Sequence, residues 1–404
     1  MNLLMLSSTF PYPPTKGGTH GRTFNLLNIL ARNHAITLLV QRAPDVTDEE
    51  VEKLRHFVED LVVFPRPTGV NNSVLAKIGR FGRFVQKGTP PNVLFGYSRE
   101  MQDWIDTAVR EKRFSVITSE HSVNEIYVRP EWKGQIRTVI DIHSSVYQTC
   151  KNQLEIGVSS REARDRLYLP LLRRYERDSA RKFSRVVVTT DDDERQMKEF
   201  VPDGEVFLIP NAVDLDLFPY RPRDPGGHHL IFVGGLDYFV NIDAACFLAR
   251  EILPRLREKY PNATVTLVGA NPAAEVRELE KSPGVTVTGR VPSIADYLHR
   301  ATVAVLPLRT GFGMKFKTLE SMAAGTPVVA SDRGLEGLAV DGENVPLRAL
   351  RANNVGEYVT EISRLFESAD LRETLSRNGR ALIEEKYTWE RAGAEYERVL
   401  VEGL

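Results

Sequence analysis

Residues 305–331, VLPLRTGFGMKFKTLESMAAGTPVVAS, constrain the fold more than any other stretch of the chain. Residues 303–306 form a short apolar run closed by Pro307, as a strand buried on both faces would. Gly311 and Gly313 come next, and glycine lets a backbone turn tightly and approach a ligand closely. Residues 317–324 are strong helix formers, and Gly325 stands where a glycine ends a helix. Val328 to Ala330 begin another strand. A glycine turn feeding a helix start presents unpaired N–H groups and the positive end of the helix dipole to an anion. Lys315 and Lys317 add charge at the same place. Two readings stand. The loop holds a diphosphate, with Glu320 one turn on holding a ribose, or it is a strand–helix–strand crossover whose glycines serve packing.

The rest of the chain repeats the same unit. A strand at 2–7 runs into a loop ending in Gly17 and Gly18, then a helix at 20–33 with Phe24, Leu27, Leu30 and Ala31 on one face, then a strand at 35–40. The glycine pair matches neither a P-loop nor the dinucleotide fingerprint. It does lie beyond the C-terminal end of a first parallel strand, where α/β sheets bind ligands. Strands follow at 60–64, 114–118, 138–142, 186–190 and 206–209, with a long helical stretch at 159–183 interrupted at Pro170. A Pro-, Gly- and Arg-rich linker runs to residue 227. The pattern then restarts with a strand at 230–233, Gly234-Gly235, a helix at 241–259 capped by Asn241 or Asp243, a strand at 264–269, and a strand and turn at 285–291. Helices at 355–368, 370–387 and 389–402 close the chain, the last packing through Trp389, Tyr396 and Leu400. At 404 residues the chain is too long for one ordinary core, which also favours two α/β domains.

Other features sort into chemical and structural readings. His121 and His143 each follow a strand directly, and His143, flanked by small polar residues, is the stronger candidate. The acidic run 191–194 sits between a strand and a helix and reads as a helix cap rather than a metal site. Residues 74–87 interleave basic and apolar residues, which suits a solvated amphipathic helix or one touching lipid headgroups. The net charge of −1 gives no field for nucleic acid. Cys150 and Cys246 fit no metal spacing and read as reduced thiols. The N-terminus lacks the basic residues of a signal peptide and reads as a buried strand, and no apolar run is long enough to span a bilayer. A cytoplasmic protein, at most peripheral at the inner face of the membrane through 74–87, is expected.

These pieces together resemble the retaining GT-B glycosyltransferases of family 4, also called group 1. The matching pieces are the Gly17-Gly18 loop, His143 after its strand, IPNAVDLDLF at 209–218, VGG at 233–235, LVGA at 267–270, VTGRV at 287–291, LESMAAGTPVVAS at 319–331 and YTWE at 387–390. The resemblance implies two Rossmann-like domains with parallel sheets facing a central cleft. The N-terminal acceptor domain would be 1–208, joined by a C-terminal crossover helix at 388–404, and the nucleotide-sugar donor domain 209–387. It implies hexose transfer with retention from a nucleotide-sugar, with UDP-glucose or another UDP-sugar leading, to a saccharide or lipid-linked acceptor in polysaccharide or glycoconjugate biosynthesis. No metal or other cofactor is implied.

Carried over residue by residue, Gly18 offers its backbone N–H to the diphosphate, with Gly17 beside it in the substrate-binding loop, and His143 lies beside the transferred sugar. Arg290 and Val291 line the base, and Glu320 accepts from ribose hydroxyls. The chain departs from the family where many members carry an Arg and a Lys gripping the diphosphate, since Gly235 and either Val240 or Asn241 stand there. It departs again at Phe312, where many have a Glu that contacts the sugar. With no metal supplied, the leaving diphosphate still needs positive charge. Lys315 and Lys317 are the nearest candidates, at least one of them replacing the missing pair; spacing favours Lys315, which sits in the turn and is a catalytic candidate, over Lys317, which can point to solvent from its helix. Backbone N–H groups of 311–314 (Gly311, Phe312, Gly313, Met314) would contact sugar or phosphate. The departures leave two alternatives, a nucleotide-sugar epimerase of the same fold or a catalytically weakened nucleotide-sugar-binding subunit.

Overall fold

The structure is a computed structural model that describes residues 1–67, 79, 81–82, 84–86, 88–157, 159, 161–311 and 313–404. The chain forms two compact units, Met1–Pro210 with Trp389–Leu404, and Asn211–Thr388.

The first unit is built on a seven-stranded sheet of β1 (Asn2–Ser7), β2 (Ala35–Arg42), β3 (Asp60–Pro65), β4 (Val116–Glu120), β5 (Arg137–Ile142), β6 (Arg185–Val188) and β7 (Glu205–Leu208). The order is β3-β2-β1-β4-β5-β6-β7, and every pairing is parallel. Leu3 of β1 sits beside Ile36 on one side and Val116 on the other. Leu3, Leu4, Met5 and Leu6 are all buried, so consecutive residues point to opposite faces and both faces are covered. The chain leaves β1 toward β2 on one side and later returns to β4 on the other. The crevice at the strand ends between β1 and β4 is therefore the topological switch point of this sheet.

Most helices form where the apolar spacing puts them, with shifted ends. The first spans Gly18–Leu30 rather than 20–33 and buries Phe24, Leu26, Leu27 and Leu30. The helix Glu162–Arg181 runs through Pro170 without a break. Pro170 and Arg166 are exposed, so water can satisfy the carbonyl that the proline leaves without its bond. The acidic run opens the helix Asp191–Phe200, where the Thr190 hydroxyl accepts from the Asp193 N–H at 3.2 Å and four acidic residues occupy the first turn. The last helix, Trp389–Val401, packs on this unit through Trp389, Tyr396 and Leu400, all buried.

Of residues 74–87, most lie outside the described residues, and with them the expected lipid-facing helix. Phe84 is buried and meets the Tyr168 ring edge-on at 5.2 Å. Among the described residues no helix is long and apolar enough to cross a membrane. Cys150 and Cys246 are buried free thiols.

The second unit holds a six-stranded sheet of β8 (His229–Val233), β9 (Thr264–Val268), β10 (Val285–Gly289), β11 (Val303–Leu306), β12 (Val328–Ala330) and β13 (Leu350–Arg351). Its order, β10-β9-β8-β11-β12-β13, is again all parallel, and its switch point lies between β8 and β11. The loops that leave these two strands are the Gly234-Gly235 turn and the segment 307–315. The helix after the first of them starts at Phe239, not at Asn241, with Tyr238 as its N-cap. It continues through a π turn at Leu248–Ile252 to Lys259. Asn241 is thus inside the first turn, which frees its side chain for other work.

Candidate active site

In the second unit, β11 ends at Leu306 and the helix Phe316–Ala323 begins after a loop with two left-handed glycines, Gly311 (φ 93°) and Gly313 (φ 85°). A side chain at either would be strained, which explains glycine there. The buried Asn211 amide donates to the Met314 carbonyl at 3.1 Å and holds the loop from below. This gives the asparagine of the 209–218 motif a structural task. Phe312 lies outside the described residues.

Of the two candidate lysines, the structure turns to the glycine turn the one that spacing favoured less. Lys315 folds back on its own loop. Its ammonium donates to the Gly313 and Gly311 carbonyls and sits 3.3 Å from Glu336 Oε2, an oxygen that Arg333 also approaches at 3.5 Å. Lys317 does not point to solvent. Its ammonium meets Asn241 Oδ1 and lies 4.7 Å over the Phe232 ring. The reason is geometric. Helical side chains lean toward the N-terminus of their helix, and Lys317 stands in the first turn on the side facing β8, so its stem runs back to the glycine turn.

That turn is shaped to receive it. A Cβ on Gly234 would stand 2.7 Å from Lys317 Nζ and 2.9 Å from the Asn241 amide. Asn241 Nδ2 in turn donates to the Gly235 carbonyl at 2.8 Å. A Cβ on Gly269, after β9, would fall 1.7 Å from the Gly234 carbonyl oxygen, so this backbone contact requires glycine. Gly269 N donates to Gly289 O at 3.2 Å, which joins the end of β10 to the same edge. Arg290, exposed, and Val291, half-buried against the core, follow there.

Burial lowers the Lys317 ammonium to about 7, with Glu320 opposing the shift and Lys315 adding to it. Burial likewise raises the half-buried Glu320 carboxyl to about 7, with Lys317 opposing. A cation and an acceptor one helical turn apart, both poised near neutrality, thus lie at the switch-point edge of this sheet. Gly235 stands where the resemblance implies an arginine, and Val240 or Asn241 where it implies a lysine. The charge missing from that helix arrives in space from Lys317.

In the first unit, Gly17 is the N-cap and Gly18 the first residue of the helix Gly18–Leu30, so their N–H groups are at its unpaired end. The same helix carries Arg22, which is fully buried. Its guanidinium grips Asp141 of β5 through two bonds of 2.7 and 2.9 Å and donates to the carbonyls of Ile209 and Pro210, both at 3.1 Å. Burial opposes charge on both partners. Their mutual attraction overcomes it, raising Arg22 and holding Asp141 well below the usual carboxylate range.

His143 stands one residue beyond β5, with Nε2 3.4 Å from Asp141 Oδ2 and 4.0 Å from Glu120 Oε2. Burial disfavours the imidazolium, yet Asp141 first and Glu120 after it raise its pKa. His121 adopts φ 74° and sets its ring 5.1 Å from that of His143. Burial and the neighbouring imidazole push His121 down to about 3, so it stays neutral. The two histidines read separately from the sequence therefore meet.

One atom each of Glu120, Asp141 and His143 falls within 4.8 Å of the others, a grouping that could hold a cation. Arg22 already supplies the positive charge by occupying both oxygens of Asp141. Arg22, Glu120, Asp141 and Tyr396 were not singled out from the sequence for a site. The available signal was a charged residue inside an apolar run, as in Asp141 of TVIDI and Glu120 of VITSE.

Similarity to known proteins gives the chain's family and fold. The family model described as Glycosyltransferase Family 4 matches residues 16–217, and that described as Glycosyl transferases group 1 matches residues 227–368. A D-inositol 3-phosphate glycosyltransferase of Nocardiopsis dassonvillei is 31% identical over 228 residues, 50% of this chain and 52% of that protein. A glycogen synthase of Mycobacterium tuberculosis is 34% identical over 147 residues, 34% of each chain. These alignments thus span about half or less of the curated relatives they match. Among solved structures, Anabaena Alr3699/HepE in complex with UDP superposes with a TM-score of 0.64 at 14% identity, covering 99% of each chain. WaaG, a glycosyltransferase involved in lipopolysaccharide biosynthesis, does so with a TM-score of 0.64 at 13% identity over 100% of both chains. The two parallel-sheet units are those of the GT-B fold. With the family's model running over half of its length and that fold throughout, this chain belongs to glycosyltransferase family 4.

Proposed function

We propose that the protein transfers a hexose from a UDP-sugar, with UDP-glucose the leading donor, to a saccharide or lipid-linked acceptor, with retention and without a metal. The observation that carries this reading is the Lys317 ammonium held at the Gly234–Gly235 turn, with Glu320 one turn further along the same helix. A half-buried cation that, among the described residues, no carboxylate neutralises at contact distance, at the switch-point edge of a parallel sheet, suits the diphosphate of a nucleotide-sugar. Glu320 then accepts from the ribose hydroxyls, and the backbone N–H groups of Gly311, Gly313 and Met314 complete the anion site. The Anabaena neighbour was solved with UDP and with UDP-glucose, which favours that donor class.

The leaving diphosphate takes up negative charge as the anomeric C–O bond breaks. Lys317 stabilises that charge in place, so it acts more strongly in the transition state than on the intact donor. The acceptor hydroxyl attacks from the face the diphosphate leaves, and its proton passes to a leaving phosphate oxygen. His143, held beside Asp141 and Glu120, orients and stabilises the hydroxymethyl side of the sugar rather than acting as nucleophile.

The test is turnover of UDP-glucose with and without cell-derived acceptor fractions, in chelator, with the product's anomeric configuration read by NMR. Acceptor-dependent release of UDP and an α-linked product support the reading. Epimerised donor, or UDP binding with no release in any acceptor fraction, refutes it.

A further inference from the structure

Glu120 is the last residue of β4 and 1% exposed. Tyr396, on the C-terminal helix and fully buried, donates to its Oε1 at 2.7 Å, and Thr118 donates to the same oxygen at 3.1 Å. Its other oxygen, Oε2, has no hydrogen-bond partner among the described residues and is 4.0 Å from His143 Nε2, itself without a partner there. A buried carboxylate with one oxygen fully engaged and the other turned to an imidazole is costly unless that imidazole carries charge. We propose that Glu120 and Tyr396 are positioning residues for His143, which keep its ring oriented and cationic; this rests on the assignment of His143 to the sugar.

The arrangement explains two otherwise idle groups. Asp141 is the nearer and stronger counter-charge for His143, but it also serves Arg22, which binds both its oxygens. Glu120 provides a second carboxylate from the neighbouring strand, and Tyr396 fixes which of its oxygens faces the ring. Among the described residues, the groups that face the imidazole are the Asp141 and Glu120 carboxyl groups, the Arg22 guanidinium and the neutral His121 ring, while Tyr396 reaches it through Glu120. Replacing Glu120 by Gln retains the size and an acceptor for Tyr396 but deletes one of the two anions.

Histidine side-chain NMR on the full chain without donor reads the His143 titration directly, with His143→Gln used to assign the signal. In Glu120→Gln the midpoint of His143 falls by about one pH unit or more. In Tyr396→Phe it falls less, and the ring signal broadens. Turnover with UDP-glucose falls at least tenfold in Glu120→Gln, while UDP affinity stays within twofold. An unchanged His143 midpoint in folded Glu120→Gln overturns the proposal, since a merely structural Glu120 would lower melting temperature without moving that titration. A shifted midpoint with unchanged turnover retains the positioning of His143 but removes the histidine from the sugar, which is failure of the functional reading instead.

Discussion

Donor affinity should weaken as pH rises through neutrality, and Lys317 should be the cause. Burial holds the free Lys317 ammonium at about 7. A lysine with a lowered pKa is charged below that value and neutral above it. The free site is therefore about half charged at pH 7 and about one part in a hundred charged at pH 9. A bound diphosphate restores the charge, so it must recruit a proton from solution, and each pH unit above 7 then costs about 1.4 kcal/mol. Between pH 7 and 9 the Kd for UDP-glucose should rise about 50-fold. UDP-glucose suits the assay because its diphosphate, esterified at both ends, loses no proton in that range.

Glu320, raised to about 7, completes its own ionisation below pH 9. Calorimetry at pH 7, 8 and 9, in buffers of different ionisation heat, measures both Kd and proton uptake. In Lys317→Met the Kd should be about 50-fold weaker at pH 7, the worth of one charge-assisted contact, and should lose the pH slope. The two proteins should converge at pH 9. A wild-type Kd that is flat from pH 7 to 9, or the same slope in Lys317→Met, would refute the reasoning.

Three further outcomes follow from contacts already described. Lys315→Ala should weaken UDP-glucose binding less than Lys317→Met in the same calorimetry, because Lys315 is spent on Glu336 and on its own loop carbonyls; an equal or larger loss would return the diphosphate contact to Lys315. Arg22→Met should cost about 3–5 kcal/mol in urea unfolding, since it strands the buried Asp141 carboxylate and two carbonyls; a loss below about 1 kcal/mol would mean that Asp141 is protonated or hydrated instead. Gly269→Ala should destabilise by about 3 kcal/mol or more and abolish donor binding, because its Cβ would fall 1.7 Å from the Gly234 carbonyl. Normal melting of that variant would show that the two turns move apart freely.

Particular elements show where sequence reading stops. Apolar runs with glycine turns between them predict both parallel sheets, because a strand buried on two faces has no polar alternation and must be covered by helices. The turn glycines Gly311 and Gly313 were legible for the same local reason, since a tight turn is a property of a few adjacent residues. The order of helix Phe239–Lys259 was legible too, though its start was not, as Tyr238 rather than Asn241 caps it.

Side-chain direction was decided only by the tertiary structure. Lys315 and Lys317 are two residues apart and chemically alike, and nothing local says which one faces Gly234. That depended on how the helix Phe316–Ala323 is rotated over β8. Arg22 and Asp141 lie 119 positions apart, and Tyr396 and Glu120 lie 276 apart. Their pairing comes from sheet order β1-β4-β5 and from the last helix packing on the first unit. Periodicity records which face of an element avoids water. It does not record which distant element covers that face, and the charge balance around His143 and Lys317 is set by those coverings.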